Sequence, residues 1–293
     1  MTTMTSALLR TNRLFGDRPA VIDTEMNLTW SEHTGRIQKL AGALSNLGIQ
    51  KGDRFGIIGP NSFRYTELMY AGFWAGAIAV PINHRLAAPE ILHILEDAEC
   101  KLLALGDDYL SLTDDEQLAP WRDKRIAIGA TSPDKDVPAM DDLLNAANPA
   151  EPQDPDENDL ALMLYTGGTT GRSKGVLLTH RNIFSNGWQV INAMDIVKED
   201  IYLHVAPMFH AADLLATGFT INGCAHSYVP VFTPTGVLQA IQDYKVTQAM
   251  MAPTMIIMIL EDPTFDDYDI STYRNLFYGS SPMAAEWVEK SIQ

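Results

Sequence analysis

The chain has 293 residues, of which 46% are hydrophobic and 20% are charged, so it has enough apolar material for a large core or two domains. Its 21 Lys and Arg are outnumbered by 37 Asp and Glu, which gives a formal net charge of -16. Such a charge repels a phosphate backbone, so we expect no nucleic acid partner. The two cysteines, Cys100 and Cys224, are too few for a disulfide framework or a tetrahedral zinc site, and a reducing, cytoplasmic setting is expected.

The amino terminus has neither the charge pattern nor the apolar run of an export or membrane segment. Residues 1–16 lack a cationic region followed by a sustained apolar region, so they do not predict a secretory signal. The longest apolar stretch, residues 69–82, is interrupted by glycine and proline and is shorter than the roughly 20 residues needed to span a bilayer. We therefore expect no transmembrane segment.

Helical and strand-like patterns alternate through the first 105 residues. A helix behind a Ser31 cap has apolar residues at helical spacing, and Gly48 is expected to end it. Alternation of this kind is typical of a parallel sheet that helices cover on both faces. The further predicted elements are a strand at 55–58, a helix that begins near Asn61 and Ser62, a strand at 77–81, a helix at 89–99 and a strand at 101–105.

The composition changes between residues 131 and 159, where nine acidic residues and five prolines leave little to bury apart from a short segment at 140–147. We predict a linker there, between a first α/β subdomain at 1–130 and a second at 160–293. In the second subdomain the predicted strands lie at 160–164 and near Val176, Leu203, Tyr228, Ala249 and Leu276.

The last residues carry the pattern of a helix without an end signal. Ser281 and Pro282 resemble the cap and first position of a helix whose apolar stripe runs from Ala284 to Ile292. No C-cap pattern precedes Gln293. We expect the sequence to be a fragment of a longer polypeptide.

The most informative segment is a glycine-rich loop at residues 165–175, YTGGTTGRSKG, which lies between two apolar strands. Three glycines within five residues let backbone amides turn toward one point, and three threonine hydroxyls and two cations surround it. Such a loop suits a polyphosphate. It matches neither a Walker A loop nor a dinucleotide fingerprint, and the alternative is a hairpin turn with solvated Arg172 and Lys174.

This loop resembles the signature of the adenylate-forming superfamily, which comprises acyl-CoA synthetases, luciferases and the adenylation domains of nonribosomal peptide synthetases. The usual form of that signature is Tyr-Thr-Ser-Gly-Thr-Thr-Gly-x-Pro-Lys-Gly. Gly167 stands at the usual Ser position, which removes one hydroxyl donor to the phosphates. Ser173 stands at the usual Pro position, which is expected to loosen the loop.

Shorter motifs extend the resemblance over nearly the whole chain, in the order of the family. Each is weak alone, and their joint order makes coincidence improbable. They are Leu28-Thr29-Trp30, Gly52-Asp53, Asn61-Ser62, residues 76–83, Arg85-Leu86, Thr179-His180-Arg181-Asn182, residues 207–210, Ala252-Pro253-Thr254 and residues 278–282.

The resemblance implies three groups of site residues, with Lys174 and His210 as the catalytic candidates. The implied ATP phosphate ligands are Thr166, Gly167, Gly168, Thr169, Thr170, Gly171 and Lys174, and the residues implied to pack against adenine are Gly279, Ser280, Ser281 and Pro282. His210 is implied to lie beside the carboxylate, and the predicted substrate pocket consists of Phe209, His210, Ala211, Met255 and Tyr278.

Other polar and soft side chains favour structural roles. His204 lies on a predicted strand and is more typical of a core residue, and His180 and Arg181 are expected to cap a helix and face solvent. Asp213 could pair with His210 as in a catalytic triad, but no G-x-S-x-G motif supplies the serine. The methionines at 250, 251, 255 and 258 favour an adaptable core, with an apolar substrate tunnel as the alternative.

The resemblance implies the large amino-terminal domain of an acyl-CoA synthetase, an α/β fold of two layered subdomains with mostly parallel sheets. The expected reaction joins ATP and a fatty or aryl acid into acyl-AMP and pyrophosphate and then forms a thioester with CoA. No metal-binding spacing is present, so Mg²⁺ is expected to arrive with ATP. A carrier-protein acceptor, a noncatalytic nucleotide-binding module and a homo-oligomer remain open alternatives.

Family members carry a magnesium-binding acid, a ribose-binding Asp and the Lys of a small carboxyl-terminal domain after the last motif seen in this sequence. None of those three motifs occurs in the 293 residues. We therefore expect the chain alone to catalyse poorly.

Overall fold

The computed structural model describes residues 2–153, 155–167 and 172–292. The helices are α1 Met4–Phe15, α2 Trp30–Asn46, α3 Phe63–Ala75, α4 Ala88–Asp97, α5 Met140–Ala146, α6 His180–Ala193, α7 Ala216–Asn222, α8 Pro234–Tyr244, α9 Pro253–Leu260 and α10 Ala285–Ile292. The strands are β1 Pro19–Ile22, β2 Asn27–Thr29, β3 Arg54–Ile58, β4 Ile78–Pro81, β5 Cys100–Leu105, β6 Arg125–Ala127, β7 Leu160–Thr166, β8 Lys174–Thr179, β9 Ile201–His204, β10 Ala225–Tyr228, β11 Gln248–Met251 and β12 Asn275–Tyr278.

The chain forms two compact units, each built on one six-stranded sheet. Unit 1 comprises residues 1–10, 31–60 and 64–185, and unit 2 comprises residues 11–30, 61–63 and 186–293. The predicted fold class is confirmed, because both sheets are mostly parallel and flanked by helices.

The sheet of unit 1 has the strand order β6-β5-β3-β4-β7-β8, and every pair in it is parallel except β7 with β8. Its core includes Val80 on β4, Ile94 on α4 and Leu103 on β5, all buried. Helix α2 ends at Asn46, two residues before Gly48, whose φ of +85° lies in the left-handed region that glycine adopts without strain. The predicted end of this helix is confirmed.

The sheet of unit 2 has the order β12-β11-β9-β10-β1-β2, in which only β1 and β2 are antiparallel. Its core includes Leu203 on β9, Val237 on α8 and Ala249 on β11. All of the strands predicted after residue 175 are present. The predicted start of the last helix at Ser281 and Pro282 is wrong: α10 begins at Ala285, after a bend in which Ser280 has a φ of +72°.

The predicted linker is packed onto unit 1 and does not separate two domains. The indole Nε1 of Trp74 donates to the carbonyl of Ala150 at 2.9 Å, and the Gln153 amide donates to the carbonyl of Trp74 at 2.9 Å. Asp141 forms ion pairs with Arg36 and Arg64, at 2.8 and 3.0 Å. The two arginines compensate for the charge of Asp141. The units divide the chain at other points than the predicted 1–130 and 160–293.

Strands β7 and β8 belong to unit 1 because β7 pairs with β4 and β8 pairs with β7.

Among the described residues, no helix is long and apolar enough to cross a membrane.

Candidate functional site

The predicted phosphate loop joins β7 to β8, and the two strands pair up to the edge of the loop. Tyr165 pairs with Gly175 and Thr166 pairs with Lys174 across the antiparallel ladder. Thr166 and Lys174 therefore lie opposite each other, where the hairpin opens. The middle of the predicted set, Gly168, Thr169, Thr170 and Gly171, lies outside the described residues.

The described ends of this loop present a hydroxyl and two cations to solvent. Thr166, Arg172 and Lys174 are exposed, and neither cation forms an ion pair with a carboxylate that the structure describes. A Cβ at Gly167 would meet none of the described atoms within 4 Å, so crowding by the described residues does not require glycine at the position where the family has Ser. Exposed cations without a described carboxylate partner suit the phosphates of ATP.

The remaining predicted site residues belong to unit 2, where four parallel strands end at one edge of the sheet. The carboxyl-terminal residues of β9, β10, β11 and β12 are His204, Tyr228, Met251 and Tyr278. The segments that follow β9 and β12 contain His210 and residues 279–282, so the sheet brings these two predicted groups to the same edge. In open α/β sheets this edge is where ligands bind.

Residues 279–282 continue from β12 as a bend close to the neighbouring strand. A Cβ at Gly279 would lie 2.8 Å from the Cε atom of Met250 on β11, so glycine permits this close approach. The next residue, Ser280, has a φ of +72°, in the region that disfavours most side chains. Ser280, Ser281 and Pro282 are exposed, which leaves their backbone open to a flat ligand.

The predicted acid-pocket residues differ in burial. Phe209 is buried and its ring contacts the His210 ring with centroids 4.3 Å apart. His210 and Ala211 are exposed, and Tyr278 is 44% exposed. Met255, on α9, is partly buried and packs against the core cluster of unit 2.

Tyr278 also lines an apolar cavity of about 500 Å³ in unit 2. Its walls come from α8, α9, α10, β11, β12 and the segment between α9 and β12, and they include Met251, Ile256, Phe265, Leu276 and Val288. The volume and lining suit a hydrocarbon or aromatic group.

Asn61, which belongs to unit 2, holds the segment that leads to His210. Its side-chain amide donates to the carbonyls of His204, at 3.1 Å, and Ala206, at 3.0 Å. Its side-chain oxygen accepts from the Met208 amide at 2.9 Å. Because Asn61 is buried, these three hydrogen bonds use both amide hydrogens and the oxygen where water cannot replace them.

A buried polar chain holds the other end of the same segment. Nδ1 of His204 lies 2.6 Å from Oδ1 of Asp213, and Nε2 of His204 lies 3.0 Å from Nδ1 of His226. Nε2 of His226 lies 3.1 Å from the hydroxyl of Thr220. With both histidines neutral, Thr220 donates to His226, His226 to His204 and His204 to Asp213, so all four ring nitrogens have a partner.

These hydrogen bonds show which of the predicted roles of His204 and Asp213 the structure supports. His204 is 2% exposed, as predicted for a core histidine, and its ring stacks on Tyr228 at 4.5 Å. The carboxylate of Asp213 bonds to His204, so pairing with His210 in a triad-like arrangement is not supported. The sequence patterns predict Asn61 only near a helix start and in a short family motif, and they do not predict a role for His226. The signal that could have indicated their hydrogen bonds is a polar residue next to apolar runs.

Helix α6 begins at His180, directly after β8 of unit 1. The cap is formed by Thr179 and Asn182, the amide of each donating to the side chain of the other, and not by the predicted His180 and Arg181. The predicted solvent exposure of His180 is wrong, because it is fully buried and its Nδ1 accepts from the Met4 amide at 3.3 Å. Burial lowers the pKa of His180 to about 4, although the charge of Asp159 opposes that shift.

A metal-binding cluster is not formed by the part of the chain that the structure describes: no three His, Cys, Asp or Glu side chains come together there in a way that could hold an ion.

Comparison with known proteins identifies the family. The model of the family described as AMP-binding enzyme matches residues 8–292. A feruloyl-CoA synthase from Amycolatopsis sp is 34% identical over 273 residues, which cover 90% of this chain and 52% of that protein. A long-chain-fatty-acid–CoA ligase, FadD13, from Mycobacterium tuberculosis is 31% identical over 264 residues, which cover 89% of this chain and 51% of that protein.

A solved structure gives the same result for the fold. The inhibitor-bound amino-terminal domain of FACL13 from Mycobacterium tuberculosis matches with a TM-score of 0.90 and 27% identity, over 100% of this chain and 73% of that one. The chain spans about half the length of the curated relatives it matches.

Proposed function

Since the chain belongs to the AMP-binding enzyme family, we propose that the full-length protein is an AMP-forming acyl-CoA ligase. The observation that carries the proposal is the phosphate loop, which has the signature sequence and follows the last strand pair, Thr166 with Lys174. Its two cations, Arg172 and Lys174, lack a carboxylate partner among the described residues. ATP, a carboxylic acid and CoA are the proposed substrates.

In the first step a carboxylate oxygen attacks the α-phosphorus of ATP, and the bond to pyrophosphate breaks. Negative charge therefore increases on the leaving pyrophosphate. The ammonium of Lys174 and the hydroxyl of Thr166 stabilise that charge, together with the threonine and glycine residues at 167–171. Mg²⁺ bound with ATP supplies further neutralisation of the phosphates.

In the second step the thiol of CoA attacks the acyl carbonyl and AMP leaves. Residues 279–282 are proposed to pack against adenine, since their exposed bend follows β12 at the ligand-binding edge of the sheet. His210 is proposed to lie beside the carboxylate, because it is exposed at the same edge, next to the buried Phe209.

The proposed acid is apolar, a medium or long aliphatic chain or an aryl acid. The cavity of about 500 Å³ that Tyr278 lines is bounded mainly by apolar side chains. Each buried methylene stabilises a ligand by about 0.8 kcal/mol, so specificity constants should rise roughly three- to fourfold per methylene until the cavity is full. Rates with acetate, hexanoate, dodecanoate, benzoate and cinnamate test this, and an optimum at acetate would refute the apolar class only.

Acid-dependent exchange of pyrophosphate into ATP tests the first step in the full-length protein. Lys174→Ala and Thr169→Ala should each slow exchange by roughly 10- to 150-fold, the effect of losing one charge-assisted contact. Lys198→Ala is the matched control, because Lys198 is an exposed lysine of unit 2 that pairs only with its neighbour Glu199 among the described carboxylates. Unchanged exchange in both loop variants would remove the loop from the mechanism.

The alternatives separate in the same preparation. Absence of exchange with every acid would favour a noncatalytic nucleotide-binding module. Exchange without thioester formation on free CoA would favour an adenylation domain that loads a carrier protein.

A further inference from the structure

Helix α4 contacts both ends of the phosphate loop through two side chains one turn apart. The hydroxyl of Tyr165 donates to Oδ2 of Asp97 at 2.6 Å. Nε2 of His93 lies 3.2 Å from the carbonyl oxygen of Ser173. Tyr165 directly precedes Thr166, and Ser173 directly precedes Lys174, so each contact is one residue from a proposed phosphate ligand.

The two side chains lie on a helix that the core fixes in place. Ile91, Ile94 and Leu95 of α4 are buried in the core cluster of unit 1. His93 and Asp97 are spaced i and i+4, so they are neighbours on one face of the helix. The helix can therefore act as a rigid support for the two described ends of the loop.

The position of Tyr165 depends on Gly175, its partner across the hairpin. A Cβ at Gly175 would lie 3.2 Å from Cζ of Tyr165 and 3.0 Å from the sulfur of Met163. Because Gly175 has no side chain, the Tyr165 ring can lie against it, and in that position the Tyr165 hydroxyl donates to Asp97. Burial and the Asp97 carboxylate raise the pKa of Tyr165, so the hydroxyl keeps its proton at neutral pH.

The contact with His93 falls on the residue where this sequence departs from the usual signature. A carbonyl oxygen can only accept, so Nε2 of His93 must carry the proton. Proline at this position would restrict the backbone covalently, whereas Ser173 has more freedom. The hydrogen bond from His93 restrains the same residue noncovalently, at the carbonyl that leads to Lys174.

We propose that His93 and Asp97 are positioning residues, which hold the two ends of the phosphate loop so that Thr166 and Lys174 face a polyphosphate at a fixed separation. The inference rests on the proposed function of that loop. It adds a helix that the signature sequence does not include, and it assigns to His93 the task that proline has in the usual form.

The first test measures the loop directly and needs no activity. Trypsin cleaves after Arg172 and Lys174, and its rate at these two bonds reports how often the loop leaves its held position. In the 293-residue chain without nucleotide, the double variant His93→Ala/Tyr165→Phe should be cleaved there at least about fivefold faster than the original, the change expected for one hydrogen bond of typical net strength. Glu96→Ala, an exposed change on the same helix, should leave the rate unchanged.

The second test separates positioning from a general structural effect. In the full-length protein the double variant should raise the KM for ATP about fivefold or more in pyrophosphate exchange, with the KM for the acid and the urea unfolding midpoint unchanged. The single variant His93→Ala should show part of the same increase in cleavage rate and in KM for ATP. His93→Gln keeps an N–H donor, so its cleavage rate and KM for ATP should return to the values of the original protein.

Equal cleavage rates in the original and the double variant would overturn the inference, and so would an unchanged KM for ATP. If the full-length protein showed no exchange with any acid, the proposed function would fail, and faster cleavage in the double variant would still support the positioning of the loop by α4.

Discussion

The phosphate loop of unit 1 and the segment 205–213 of unit 2 are held in different ways. Helix α4 holds the ends of the phosphate loop through Asp97, which is exposed, and His93, which is partly buried. Buried side chains hold segment 205–213: Asn61 bonds to its first half, and Asp213, within the segment, bonds to His204. One segment is supported at the surface and the other from the interior.

Because the two segments are held differently, substitutions in them should affect different properties of the protein, its stability or its use of ATP. A polar group that loses a partner in the interior keeps its desolvation cost, whereas an exposed group turns to water. Substitutions around segment 205–213 should therefore lower the free energy of unfolding. Substitutions in the phosphate loop should change the use of ATP and leave the fold intact.

The largest effect is expected for Asn61→Asp. The carboxylate can accept from the Met208 amide but cannot donate to the carbonyls of His204 and Ala206, so two buried acceptors lose their donors and face a negative charge. Urea unfolding should show a loss of about 3–5 kcal/mol. Asn192→Asp is the control, because Asn192 is exposed and donates to only one carbonyl among the described contacts, and a similar loss in both variants would contradict the interior support.

The next largest effect is a fall in the free energy of unfolding at acidic pH, caused by His180, which directly follows β8. His180 has a pKa of about 4 in the folded chain, because burial disfavours its charged form, against about 6.5 when unfolded. The stability it contributes is complete above pH 6.5 and is lost as the pH falls toward 4, since the unfolded chain binds the proton first.

The expected loss between pH 7 and pH 4.5 is about 2–3 kcal/mol in urea unfolding. His180→Asn keeps an acceptor for the Met4 amide and has no titrating group, so its stability should depend less on pH over this range. Equal pH slopes in the two proteins would show that His180 is not buried in its neutral form.

A smaller effect is expected for Asp213→Asn. The amide oxygen can still accept from Nδ1 of His204, so the variant loses the charge assistance and keeps the hydrogen bond. The free energy of unfolding should fall by about 1–2 kcal/mol. If His210 were the partner of Asp213, the variant would instead lower the rate of exchange with no change in urea midpoint.

The smallest effect on stability is expected for Lys174→Ala. The side chain is exposed and forms no ion pair with the described carboxylates, so the free energy of unfolding should change by less than about 0.5 kcal/mol. Calorimetry or urea unfolding of the 293-residue chain measures it. A loss above 1 kcal/mol would mean that Lys174 supports the fold.

Local patterns predicted the elements that have strong periodicity. Strands β3, β4 and β5 and helix α4 lie within one or two residues of their predicted positions. Strands β1, β2 and β6 were not predicted; β2 and β6 have only three residues each, which is too few to show a periodicity.

The supports of the site residues could not be predicted, because each joins parts of the chain that only the fold brings together. Asn61 contacts a carbonyl 143 positions along the chain. The acidic segment at 131–159 is typical of a solvated linker, but Asp141 meets two arginines from other helices. Composition does not report such partners.

The signature sequence was sufficient to place the phosphate loop on a strand–loop–strand unit, and the comparisons establish the family. It gave no indication of His93 and Asp97, because those residues belong to a helix that precedes the loop by about 70 positions.

We propose that the phosphate loop acts on ATP and that the segment with His210 acts on the acid. Acid-dependent pyrophosphate exchange in the full-length protein, measured against both ATP and acid concentration for Lys174→Ala and His210→Ala, tests it directly. Lys174→Ala should raise the KM for ATP about tenfold or more and keep the order of preference among acids, and His210→Ala should change that order and keep the KM for ATP. Proportional changes of both quantities in both variants would contradict the claim.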